Sequence, residues 1–279
     1  MLLSRTYRPS PALVPYIRRH YVFEADLPPE LVIDDCLLSE TAFARFLIRG
    51  DWAGEVSPGE WSRPGKALLF GANDQPFRVR VQGGFKVVGF AIRPSGWHAM
   101  FEQPHNDLKD RLFRLQDFWG ELADQMLSGI EGATDDAGII AAMEAGIIQR
   151  IADVGAPQID EQMAQFEVIA RTDSTMRIDE AARTIGLSVR QLERRCCGTF
   201  GLTPKGVLRR SRFLDIAAAK REFSTPSERD LAELRFFDQS HLNREFKRFT
   251  RMTPGQFERA TTPLLTAGLK LREESRYED

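Results

Sequence analysis

The sequence predicts an α+β protein. An N-terminal small β-barrel or sandwich with packed helices precedes an all-α domain of two helix-turn-helix units joined by a long helix. Three observations predict it. Near the C-terminus two stretches repeat each other at a fixed offset of 50 residues, so that Leu192 pairs with Leu242, Arg194 with Arg244, and Thr203-Pro204 with Thr253-Pro254. In the first part of the chain, short apolar stretches alternate at the period of two that strands require. Between these regions apolar residues recur every three or four positions, the stripe of an amphipathic helix.

Ala42 to Arg49 and Lys66 to Phe70 are strand candidates, and Phe77, Val79 and Val81 alternate with Arg78 and Arg80. Gly83-Gly84 is expected to turn a tight hairpin into Phe85 to Ile92. Several short strands broken by Gly, Pro and Asn suit a small barrel or sandwich. From Asn106 the pattern turns helical: Leu108, Leu112, Leu115, Phe118, Trp119, Leu122, Met126 and Ile130 form one stripe. Asp135 to Val154 forms a second, and Gly155-Ala156-Pro157 breaks it. The expected organisation is a β-rich sensor or dimerisation domain over 1–157, a connecting helix over 158–171, the repeated helical domain over 172–262, and a polar tail over 263–279.

Each repeat reads as a helix-turn-helix. In the first, Asp179 to Ile185 is a short helix with acids in its opening turn, Gly186 ends it, and Ser188 caps the next. Val189, Leu192 and Cys196 are expected to be buried, leaving Arg190, Gln191, Glu193, Arg194 and Arg195 outside. In the second, Ser227-Glu228-Arg229-Asp230 resembles a capping box, with Leu231 and Leu234 behind it. The following helix carries Leu242, Phe246 and Phe249 inward and Gln239, Ser240, Asn243, Arg244, Lys247 and Arg248 outward. Between the units, Lys205 to Phe223 reads as one helix, capped by Thr203 with Pro204 in its first turn. Nineteen residues at ~1.5 Å each span about 28 Å.

An outward face of Arg, Gln, Asn and Ser is what base edges require. Arg reaches guanine O6 and N7, and Gln or Asn reaches adenine N6 and N7. Arg195, Lys247 and Arg248 suit phosphates. Charge agrees: residues 172–262 hold 18 Lys and Arg against 12 Asp and Glu, whereas the remainder holds 20 against 28. The overall charge of −2 conceals that asymmetry. Adjacent major-groove faces on one side of a duplex lie roughly 34 Å apart, within reach of two heads on such a helix.

Residues from about 172 to 260 resemble the DNA-binding domain of the AraC/XylS family of bacterial transcription regulators. The resemblance rests on Phe236-Phe237-Asp238-Gln239-Ser240-His241-Leu242-Asn243-Arg244-Glu245-Phe246-Lys247-Arg248 and the trailing Thr253-Pro254, together with the recurrence of the unit. It implies that Arg190, Glu193 and Arg194 face bases in the first unit, and Gln239, Ser240, Asn243 and Arg244 in the second. The family usually has glycine where this chain has Arg235 and Arg251, and a left-handed backbone costs a non-glycine residue roughly 1 kcal/mol or more. Tyr7 to Arg18 and Phe90-Ala91-Ile92-Arg93-Pro94 resemble the sensor regions of some members, which are often compact cupin-like β folds. The implied partners are double-stranded DNA, a small-molecule effector, RNA polymerase for an activator, and a second copy of the chain pairing through the N-terminal half.

Other readings have less to stand on. No stretch approaches the ~20 apolar residues of a membrane span, and the start of the chain lacks the apolar core of a signal peptide. Three cysteines without framework spacing suit a reducing cytoplasm. His20, His98, His105 and His241 form no metal-binding spacing, so no metal or cofactor is expected. No phosphate-cradling loop or nucleophile elbow is present, which argues against an enzyme. Cys196-Cys197 could sense oxidants, but Cys196 occupies the slot of Phe246 and reads as a core thiol. Two alternatives stay open: an enzyme of the DNA alkylation-repair type fused to such a module, and a ligand-independent regulator controlled by a protein partner.

Overall fold

The computed structural model describes residues 2–155, 159–224 and 239–274. Among these residues eight strands form one antiparallel sheet: β1 (Leu2–Tyr7), β2 (Ile17–Ala25), β3 (Val32–Leu37), β4 (Phe43–Ser57), β5 (Glu60–Ser62), β6 (Ala67–Phe70), β7 (Phe77–Ile92) and β8 (Leu112–Arg114). Their order is β1-β2-β7-β4-β6-β8, with β3 also pairing with β7 and β5 with β4.

Gly83-Gly84 does not make the expected hairpin. β7 runs 16 residues straight through both glycines. There it exchanges partners, pairing through Phe77–Gln82 with β3 and through Phe85–Ile92 with β2. β4 accompanies β7 and bulges on either side of Arg49. Beside that bulge Gly50 has φ +99, and a Cβ on it would meet Phe85 Cβ at 2.7 Å. The glycines therefore let two long strands bend together, as bulges do, instead of reversing one. A Gly-Gly pair satisfies a turn or a bend equally well, and the 15-residue neighbour β4 decides.

Alternation gives the sheet two apolar faces. Tyr21, Phe23, Phe43, Leu47, Phe85 and Val87 lie on the inner face; Val22, Ala44, Phe46, Val88 and Phe90 lie on the outer. The outer face is covered by α1 (Gln116–Trp119), α2 (Glu121–Gly132) and α3 (Asp136–Val154), through Trp119, Met126, Ile130, Met143 and Ile147. Asp135 caps α3, accepting from the Gly138 N–H at 2.8 Å. The helical stripe expected from Leu108 is interrupted, because Leu112–Arg114 pairs with β6 and Gly120, at φ +55, separates α1 from α2. Leu108, Leu115 and Trp119 are buried nonetheless, so their spacing reads as one helix in sequence.

The C-terminal half is helical: α4 (Glu161–Thr172), α5 (Ile178–Thr184), α6 (Val189–Phe200), α7 (Pro204–Lys220), α8 (Gln239–Thr250), α9 (Pro254–Arg259) and α10 (Pro263–Glu274). α4 does more than connect. Its Met163, Phe166 and Ile169 share a core with Leu192, Cys196 and Phe200 of α6. α7 runs through both helical cores, giving Val207 and Leu208 to the first and Phe213, Leu214 and Ala217 to the second.

Residues 263–274, expected in a polar tail, form α10, which is largely buried. Leu264, Ala267 and Leu271 close over the inner face of the sheet, while Leu265 and Leu269 join the second helical core. Asp35 of β3 caps this helix from a distance, its carboxylate accepting from the Leu264 N–H at 2.7 Å and the Leu265 N–H at 3.3 Å. The charged run from Arg272 onward dominates the composition of the segment. Because α10 presents leucines to two surfaces at once, no single stripe announces it.

The two halves are joined by buried polar groups. Arg210 of α7 donates to the Asn73 carbonyl at 3.0 Å and also to the Glu40 carbonyl. The Glu40 carboxylate faces Arg171 at 3.6 Å and Arg272 at 3.3 Å. Burial alone would raise the Glu40 pKa, but the surrounding arginines outweigh it and hold the group below its ordinary value.

Candidate nucleic-acid interface

In the first unit Gly186, at φ +72, ends α5, and Ser188 opens α6. Ser188 and Gln191 form a reciprocal capping box, with Gln191 Oε1 accepting from the Ser188 N–H at 2.9 Å. Leu192 and Cys196 are fully buried. Val189, expected beside them, is 39% exposed at the first position of α6. Arg190, Glu193 and Arg194 stand exposed on the outer side of the helix, as the sequence suggests.

Arg195 differs from its neighbours. Its guanidinium forms a fork to Asp160, the cap of α4, at 3.0 and 2.7 Å. A residue expected to hold a phosphate is thus committed to fixing α4 against α6. Nothing in the local sequence reveals this, since Asp160 lies 35 residues away.

The second unit is described from Gln239 onward. Ser227 to Asp230, Leu231, Leu234 and Arg235 lie outside the described residues, as does the side chain of Gln239. In α8 Phe246 and Phe249 are fully buried, packing on Phe213 of α7 at ring distances of 5.0 and 4.7 Å. Cys196 and Phe246 hold equivalent buried positions 50 residues apart. Leu242 is half-buried. Glu245 is fully buried and clamped by Arg209, so the spacer helix grips the second unit through an ion pair as well as through rings. Ser240, Arg244, Lys247 and Arg248 are exposed, and Asn243 is half-buried. Arg248 meets Asp74 of the β-rich half at 2.5 Å, and Lys109 meets the same carboxylate at 3.6 Å.

After α8 the chain turns through Arg251 at φ +61, the conformation that Gly201 takes at φ +72 after α6. Thr253 and Gln256 then form a capping box on α9. Thr203 likewise caps α7, accepting from the Gly206 N–H at 3.2 Å.

Burial disfavours the thiolate at both Cys196 and Cys197. Burial pushes the Cys196 thiol well up, and burial followed by the nearby Glu193 raises that of Cys197. Raised thiols hold little of the thiolate that oxidants attack. Among the described residues no group of three His, Cys, Asp or Glu side chains could hold a metal ion. No helix among them is long and apolar enough to cross a membrane.

Residues 181–260 match the family model described as a helix-turn-helix domain, and residues 5–114 match a domain of unknown function, DUF6597. No curated protein matches the chain in sequence. Among solved structures, ToxT from Vibrio cholerae in its P21 form is similar over 92% of this chain and 97% of that one, at 10% identity and a TM-score of 0.47. Unsaturated fatty acid bound wild-type ToxT is similar over 86% of this chain and 94% of that one, at 12% identity and a TM-score of 0.45. The AraC-like transcriptional activator CuxR covers 77% of this chain and 86% of its own, at 14% identity and a TM-score of 0.27.

Proposed function

Residues 181–260 match a helix-turn-helix domain, and we propose that the chain is a DNA-binding transcription regulator of the AraC/XylS type whose α6 and α8 enter successive major grooves of one duplex and read it sequence-specifically in the cytoplasm. The observation that carries this reading is the rigid spacing of two equivalent helices. α7 is 17 residues long, about 25 Å at ~1.5 Å per residue, and contributes to the cores of both units. Arg190, Glu193 and Arg194 on α6, and Gln239, Ser240, Asn243 and Arg244 on α8, are the proposed base readers. Lys247 is the proposed phosphate contact, joined by Arg248 once it leaves Asp74. The β-rich half is the proposed sensor of a small-molecule effector, acting by biasing how the two halves sit together.

Selection of random duplexes by the full chain at two salt concentrations tests the DNA reading. The expected result is two short motifs spaced by about one helical turn. Enrichment of a single half-site would confine sequence reading to one unit, and no enrichment at either salt would overturn the proposal.

A further inference from the structure

The second repeat departs from the first where its spacer helix would run on. α7 runs for 17 residues from Pro204, whereas α9 runs for six from Pro254. At the repeat's offset of 50 residues from Phe213, in the middle of α7, the chain places Pro263. Proline disfavours helix in the residue before it and has no N–H for the turn behind it, so the helix breaks and α10 starts afresh. The matched helix-turn-helix domain ends at residue 260, so α10 lies beyond it.

α10 is tied to both halves of the molecule. Leu264 and Leu271 lie on the inner face of the sheet, and Leu265 and Leu269 lie in the core of the second reading unit. At its start Asp35 of β3 holds the Leu264 and Leu265 N–H groups, and at its end Arg19 of β2 donates to the Leu271 carbonyl at 2.7 Å. Arg272, 3% exposed, meets Asp215 of α7 at 2.7 Å and Glu40 at 3.3 Å. The docked helix thus keeps the second unit against the β-rich half. There two cations of that unit face acids: Arg248 meets Asp74 at 2.5 Å, and Arg251 meets Glu55 at 3.8 Å. Cations held this way are withheld from phosphates.

The helix is seated below its full strength. Gly268 stands in its middle, where glycine weakens a helix relative to alanine. A Cβ there would meet nothing within 4 Å, and the residue borders a cavity of about 90 Å³ between α10 and the sheet. A 12-residue helix is also marginal in water by itself, so α10 melts when it leaves its seat. Its helical propensity therefore sets the balance between docked and released states. The rings of Phe213, Phe246, Phe249 and Phe257 pack on one another, so the second unit keeps its own core when α10 leaves.

We propose that α10 is a latch. Docked, it holds the second reading unit against the β-rich half in a state of low DNA affinity, and a duplex engages both units only after α10 lets go. The inference rests on the DNA-reading proposal above and adds its regulation. DNA and the docked helix oppose each other, and the opposition is reciprocal.

The test uses the full chain and two substitutions on α10, neither in a reading helix. Gly268→Ala strengthens the latch at a position with free space. Lys270→Gly weakens it at an exposed position, where the lysine meets Glu274 of the same helix at 3.7 Å. Amide hydrogen exchange without DNA reads the opening, and α10 is expected to exchange faster than α7 around Phe213. Relative to wild type, exchange in α10 should be about fivefold slower in Gly268→Ala and about threefold faster in Lys270→Gly. Affinity for a selected duplex, read by fluorescence anisotropy, should fall about fivefold in Gly268→Ala and rise about threefold in Lys270→Gly. Loss of a cation by itself weakens DNA binding, so a rise in Lys270→Gly is not a charge effect. Saturating duplex should speed exchange in α10 of the wild type.

Three results would each overturn the inference. One is α10 exchanging no faster than the α7 core. Another is duplex that slows α10 exchange or leaves it unchanged. The third is Gly268→Ala with exchange or duplex affinity like the wild type. These three do not need Lys270→Gly to fold. Duplex binding with unshifted affinities removes the latch alone, whereas failure of wild type and variants to bind any duplex removes the DNA-reading proposal and the latch with it.

Discussion

Gly201 and Arg251 hold the same left-handed backbone, at φ +72 and +61, each closing the turn after a helix of the repeat. Only glycine does so without steric cost. Arg251 persists because Thr253-Pro254 and the α9 capping box fix the chain beyond it, as Thr203-Pro204 fixes α7. Arg251→Gly should therefore stabilise the protein by about 0.5–1 kcal/mol, the relieved strain being offset in part by the freer unfolded chain. Its contact with Glu55, at 3.8 Å and half-exposed, adds little. Gly201→Ala should be destabilising by more than ~1 kcal/mol, since its Cβ would also crowd Ala72 and His105 at 3.2 Å. Urea midpoints measure both, and a destabilised Arg251→Gly would refute the strain argument.

Arg194 and Arg195 are neighbours with different tasks. Arg194→Ala should cost on the order of 1–3 kcal/mol of DNA affinity, concentrated at one base position. Arg195→Ala should instead cost about 0.5–1 kcal/mol of stability through the lost Asp160 pair and leave base preference unchanged. Competition with single-base operator variants, beside a denaturation curve, separates the two. Equal affinity losses on all sequences for Arg194→Ala would make it a phosphate contact.

Asp74 holds Arg248 and Lys109 on the side of the molecule where DNA is proposed to bind. Asp74→Asn should free Arg248, strengthen binding to unrelated duplexes and steepen the salt dependence by about one counterion. Fluorescence anisotropy across a salt series reads the slope. An unchanged slope would mean that Arg248 never reaches phosphate.

His105 links the two halves. Its Nε2 accepts from the Ala72 N–H at 2.9 Å, and its Nδ1 donates to the Thr199 carbonyl at 2.8 Å. The ring also stacks on Trp97 at 4.0 Å. Burial pushes its pKa down to about 4 from 6.5. Between those values the unfolded chain takes up a proton that the folded protein refuses, so this contribution is full above pH 6.5 and lost as pH falls toward 4. The loss is on the order of 3 kcal/mol.

Asp35 acts in the opposite sense. Burial pushes its carboxyl up to about 6 from 3.8, so the folded protein gains stability from this group as pH falls through that window. The test is therefore a difference. His105→Gln keeps one donor and one acceptor, and its stability relative to wild type should rise as pH drops from 6.5 to 4 while Asp35 cancels. A flat difference would show that His105 titrates normally.

The sequence by itself determined the repeat and most of its chemistry. Leu192 and Leu242, Cys196 and Phe246, and the Ser188, Thr203 and Thr253 caps act within one or two turns of chain, so their spacing carries the information. The exposure of Arg190, Arg194 and Arg244 follows from the same period.

Only the tertiary structure decided what long-range partners impose. Gly83-Gly84 bends β7 because β4 lies beside it, and Arg195 is held by an aspartate 35 residues away. α10 is a buried helix because two apolar surfaces and Asp35 receive it. Arg45 reads in sequence as one charge in a strand. It becomes enclosed because the sheet bends aromatic residues from β2, β4 and β6 around it, an arrangement with no local period to betray it.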